Sequence, residues 1–142
     1  MKSQKTHNSI SLYLMMALIL FQGVSGLFGG FALVADPTGA VLSMPVTLLE
    51  GSPFDNFFIP GLILLTILGI FPVVVFYGIW MRADWAWTGA LLVSTALIAW
   101  IGFEILMVGY HDDPPLQLIY GLLGLILLGL VILPSVHRAL RP

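Results

Sequence analysis

Four stretches of this chain, 10–34, 57–81, 85–110 and 116–134, stay apolar for about as long as a bilayer core is thick. A helix rises ~1.5 Å per residue, so ~20 apolar residues cross a hydrocarbon layer of ~30 Å. Only 8% of the residues are charged and 59% are hydrophobic, whereas soluble domains carry about 25% charged residues. These numbers exclude an ordinary soluble domain. The expected fold is an antiparallel four-helix transmembrane bundle, a single transmembrane domain over 1–142, with an ordered outer loop at 35–56 between helices 1 and 2.

The charges orient this bundle. Lys2 and Lys5 precede the first span, Arg82 joins the second to the third, and Arg138 and Arg141 follow the fourth. With an even number of spans all five basic residues share one face, and the positive-inside rule makes that face cytoplasmic. Both termini are then expected inside a cell membrane crossed several times. Asp36, Glu50, Asp55, Asp112 and Asp113 fall in the outer loops, Asp84 lies inside, and Glu104 lies within the third span. The scattered basic residues do not form the basic face that nucleic acid requires; they suit anionic headgroups of the inner leaflet.

Residues 1–26 have the layout of a signal peptide: a basic start, an apolar centre and small residues at Val24-Ser25-Gly26. The apolar run continues through Leu27, Phe28, Phe31, Leu33 and Val34, which favours an uncleaved first helix. The chain has no Cys, so disulfides, thiolate metal sites and Cys nucleophiles are excluded.

Several local signals shape the helices. Asp36-Pro37-Thr38-Gly39 has turn chemistry. Ser52-Pro53-Phe54-Asp55 reads as a helix start with Ser as N-cap, followed by a bend at Ile59-Pro60-Gly61. Phe54, Phe57 and Phe58 are expected to anchor the outer loop. Pro72 should kink the second span and free a carbonyl that a neighbour must satisfy. Trp80, Trp85 and Trp87 form an inner aromatic belt beside the short turn at Arg82. Gly23, Gly26, Gly29 and Gly30 in span one, and Gly121, Gly124 and Gly129 in span four, allow close helix approach. This spacing fits packing of spans one and four within the chain, or a homo-oligomer or larger membrane complex formed through those helices.

Glu104 is the main candidate for chemistry, because an intramembrane acid costs about 2.5–3.5 kcal/mol at a helix centre and marks a functional site by default. Trp100 and His111 share its helical face, and Gln117 and Tyr120 start the fourth span at similar depth. Glu104, His111, Gln117, Tyr120 and Trp100 are therefore the candidate ligand-binding set. The first reading of a hydrogen-bonded Glu104–Gln117–Tyr120 cluster is structural glue between helices, ahead of a ligand or ion site. Gln22, Thr66, Ser94 and Thr95 read as packing groups. The outer carboxylates match no calcium loop and read as solvated surface. No nucleophile, zincin or phosphate-loop motif occurs, so neither catalytic residues, a metal nor a cofactor is expected.

The residues Gly29-Gly30-Phe31-Ala32-Leu33, Asp36-Pro37-Thr38-Gly39, Leu49-Glu50-Gly51-Ser52-Pro53-Phe54-Asp55 and Ile59-Pro60-Gly61-Leu62 form a block. This block resembles a group of small, uncharacterised four-helix bacterial integral membrane proteins. The resemblance implies a bacterial cell membrane and four helices, and no activity. The expected function is that of a non-enzymatic membrane protein, either an accessory subunit or a binder of a lipid or small ligand. The alternative is a small proton- or ion-linked transporter using Glu104, and a membrane-embedded enzyme would need Glu104 and His111 to converge on a pocket.

Overall fold

The structure is a computed structural model that describes residues 2–40, 53–108 and 116–140. Among these every regular element is helical. Helix α1 is Lys2–Ala35, α2 is Phe58–Leu65, a π-helical turn covers Thr66–Ile70, and α3 is Phe71–Trp80. They are followed by α4, Ala86–Val108, α5, Leu116–Val131, and α6, Pro134–Leu140. Three helical stretches are long and apolar enough to cross a membrane: Ile10–Ala35, Phe58–Trp80 and Ala86–Leu106. A fourth crossing counts only if α5 and α6, bent by 70° from one another, form one span.

This bend is the main departure from the expected continuous span over 116–134. Pro134 has no N–H for the carbonyl four residues back, so the helix stops at Val131 and restarts. The indole N–H of Trp87 donates to the last carbonyl of α5, that of the buried Val131, over 2.9 Å. Helix α6 then folds back with Val136 and Leu140 buried in the common core.

The core follows helical spacing. On α1 it comprises Leu12, Met15, Met16 and Ile19, and on α4 it comprises Ala86, Ala90, Val93, Leu97 and Ile101. The opposite faces expose Tyr13, Phe28, Phe31, Val74, Leu92, Leu106 and Leu125. Apolar exposure on this scale fits hydrocarbon solvent and not water.

Close contacts between backbones set the order of the helices. A Cβ on Gly26 would collide with the Leu68 carbonyl, one on Gly30 with the backbone of Leu65, and one on Gly23 would lie 2.7 Å from Val73 Cγ2. Span one therefore packs its glycines antiparallel against span two. The expectation that they would meet span four is corrected here. The span-four glycines face span three instead, with Gly124 against Ile98 and Gly121 against Ile101. Nothing lies within 4 Å of a Cβ built on Gly129.

Pro72 acts differently from a simple kink. The helix takes up one extra residue just before it, and the Phe71 N–H reaches back to the Thr66 carbonyl. The stretch then runs on as one span of 23 residues. In an α-helix the Leu68 carbonyl would accept from residue 72, which as proline has no N–H. Gln22 of α1 supplies the missing donor, with Nε2 3.1 Å from that oxygen. By contrast, Thr66, Ser94 and Thr95 bond back to carbonyls of their own helices.

The Asp36–Gly39 turn forms as its sequence implies. Gly39 has φ 80° and its N–H donates to the Asp36 carbonyl, while the Thr38 hydroxyl donates to the Asp36 carboxylate at 2.6 Å. The expected helix start at Ser52-Pro53-Phe54-Asp55 is not where α2 begins. Ser52 lies outside the described residues, residues 53–57 are non-helical, Asn56 Oδ1 accepts from the Phe58 N–H at 2.9 Å, and the helix opens at Phe58. Pro60 then falls in the first turn, where a missing N–H costs nothing. Phe57 is buried and Phe54 meets Phe103 edge-on, whereas Phe58 is exposed. The middle of the outer loop lies outside the described residues.

Candidate functional site

Four of the five sequence candidates are described: Trp100 and Glu104 towards the C-terminal end of α4, Gln117 and Tyr120 in the first turns of α5. Trp100 stacks on Phe103 with ring centres 6.2 Å apart, and Phe103 meets Phe54. This assembly follows from spacing, because residues three apart are neighbours on a helix. Glu104, one turn beyond Trp100, is half-buried. Gln117 is buried. Tyr120 turns towards α1, where it stacks on Phe21 at 6.1 Å with nearly parallel rings. Gln117 is not without a partner, and the ring contact of Tyr120 is with α1 and not with Glu104. His111 lies outside the described residues, and so do Glu50, Asp112 and Asp113. Among the described residues no group of three or more His, Asp and Glu gathers to hold a metal ion.

The Phe21–Tyr120 stack borders a feature that the sequence did not signal. Leu18 and Phe21 of α1, with Ile119, Leu122, Leu123 and Ile126 of α5, line an open groove of about 410 Å³. Its walls are entirely hydrocarbon side chains and aromatic ring. The groove exists because α1 spends its glycine face on span two. The side chains of α1 that meet α5 are large, with Phe21 stacked on Tyr120 at one edge of the groove. Periodicity marks both helix faces as apolar, but the gap between them depends on which helix takes the glycines.

A second polar feature lies deeper. Gln22 is 1% exposed, and while its amide nitrogen bonds Leu68, its Oε1 is buried without a partner among the described residues. Its sequence signal was the pair of a mid-span amide and a mid-span proline, and only the fold shows that they meet.

At the other end of the bundle, α6 is fastened by side chains from the α3–α4 turn and α4. Arg82 Nη1 donates to the Ala139 carbonyl at 3.0 Å, and His137 meets Trp87 edge-on at 4.7 Å. No protein family, curated protein or solved structure matches the chain.

Proposed function

We propose that this chain is a non-enzymatic integral membrane protein of four spans, with both termini cytoplasmic, that binds the apolar chain of a lipid-like ligand between α1 and α5. The observation that carries this reading is the all-apolar groove between Leu18, Phe21 and the α5 side chains. Phe21, Ile119, Leu122 and Ile126 along it are exposed, so the groove is open along its length, as an acyl chain lying between two helices requires. The fourth span is then α5 with the bent α6 at its end. The bacterial cell membrane implied by the Gly-Ser-Pro-Phe…Ile-Pro-Gly-Leu resemblance is the setting of this proposal. A larger membrane complex, with this chain as an accessory subunit, would use the free face of α5 around Gly129.

The test is photo-crosslinking in bilayers with a phospholipid that carries a photoactivatable group in its acyl chain. Adducts should concentrate on the groove residues, and Leu122→Trp should reduce them by filling the space. Labelling spread evenly over the groove, Phe28 and Leu92 would reject the reading.

A second reading has Glu104 handling a proton or ion, favoured by a half-buried carboxyl inside a span with no hydrogen bond among the described residues. It predicts that Glu104→Gln abolishes ion-driven uptake in proteoliposomes while the protein stays folded. Unchanged flux in that variant would rule the reading out.

A further inference from the structure

The α3–α4 turn contains an unusual choice of residue. Helix α3 ends in a Schellman motif: the Ala83 N–H donates to the Gly78 carbonyl at 2.9 Å and the Arg82 N–H to the Ile79 carbonyl at 3.1 Å. The residue at its left-handed position is Arg82, with φ 55°. Glycine normally occupies this position, because any Cβ there is strained. An arginine kept in strained backbone points to a use for its side chain. Part of that use is visible, since the guanidinium caps the C-terminal end of α6 at Ala139, where helix carbonyls favour a cation.

That bond takes one of five N–H donors. Arg82 remains exposed, and so does Arg138, the neighbour of Ala139 in the last turn of α6. Trp80, Met81 and Trp85 beside them are also exposed, at 65%, 58% and 46%. Exposed tryptophans next to arginines mark the depth of the headgroups. Guanidinium forks suit phosphate oxygens.

We propose that Arg82 and Arg138 together form a binding site for the phosphate of an anionic phospholipid, at the membrane face where α6 lies against the α3–α4 turn. The bound headgroup would fasten α6 to the bundle through the same arginine that already holds its C-terminal end. This site is independent of the groove between α1 and α5.

The experiment is native mass spectrometry of the full chain released from mild detergent after incubation with phosphatidylglycerol or phosphatidylcholine of identical acyl chains. The wild type should retain phosphatidylglycerol preferentially. Arg138→Gln and Arg82→Gly should each lower that preference about fivefold, the weight of one basic residue at an anionic surface. Arg82→Gly relieves the strained turn, so it removes the guanidinium without endangering the hairpin, and helicity measured alongside verifies this. Should it fail to fold, Arg138→Gln alone decides. Leu92→Ala, on an exposed face outside both sites, should leave the preference intact. Equal retention of the two lipids by the wild type, or an undiminished preference in either folded arginine variant, would overturn the proposal. So would inorganic phosphate alone raising the melting temperature as far as the anionic lipid does.

Discussion

The amide of Gln22 and the ring of Pro72 meet across two helices. Pro72 leaves the Leu68 carbonyl without its helical donor, and Gln22 Nε2 takes the vacant position from 3.1 Å. A carbonyl buried in hydrocarbon without a partner costs on the order of 1–3 kcal/mol. Gln22→Leu should therefore destabilise the protein by about that amount, read by denaturant unfolding in mixed micelles. Pro72→Ala restores an N–H near Leu68, so adding it to Gln22→Leu should recover part of the loss. Strict additivity of the two changes would show that the two residues do not act as a pair. Glu104 makes a contrasting case. Without a hydrogen bond among the described residues, its replacement by Gln should alter stability by less than about 0.5 kcal/mol. A loss of several kcal/mol on that change would mean that the carboxyl holds the outer ends of α4 and α5 together.

Between elements, contact is governed by the absence of side chains at a few positions. A methyl group on Gly26 has nowhere to go except into the backbone at Leu68, so Gly26→Ala should cost about 1–3 kcal/mol by forcing α1 away from span two. Gly129→Ala, in open space, should be neutral or slightly stabilising by helix propensity. Equal effects of the two would remove the argument for close packing at Gly26. Trp87→Phe should weaken the seating of α6 by about 1–2 kcal/mol, because the Val131 carbonyl loses its donor.

These elements also show how far a linear reading reaches. The three long helices, the Asp36–Gly39 turn and the tight hairpin at Arg82 were legible, because each rests on apolar run length or local turn chemistry. The partner of the span-one glycines was not legible, since small-residue spacing states that a helix can approach closely and not which one it approaches. The stop at Val131 was obscured because Leu130 to Leu133 are as apolar as the residues before them, and Pro134 stood at the expected end of the span. Among the site candidates, Trp100 and Glu104 share a helical face by arithmetic. Tyr120 departs towards Phe21 because a ring stack on α1 was available at that depth. The groove had no signal of its own, because it depends on which faces of α1 and α5 are brought side by side.

For the whole molecule the decisive question is orientation, which rests on five basic residues. Reporter fusions after Arg82 and after Pro142 should both read cytoplasmic, and one inserted within 41–51 should read external. A cytoplasmic signal from that outer insertion would invert the proposed topology and move the Arg82–Arg138 face to the opposite leaflet.

The Phe57 N–H donates to the Pro37 carbonyl at 2.9 Å, and that single bond has a consequence for what the chain tolerates. It draws together the end of the first span and the start of the second, as a drawstring closes the neck of a bag. The segment between the Gly39 turn and Phe54, which meets Phe103, can then change length without pulling on the helices. The closure entropy of such a loop rises only by about 0.6 kcal/mol for each doubling of its length. Epitope tags or whole inserted segments should be accepted there with helix packing unaltered, making this neck the natural place for variation in the chain.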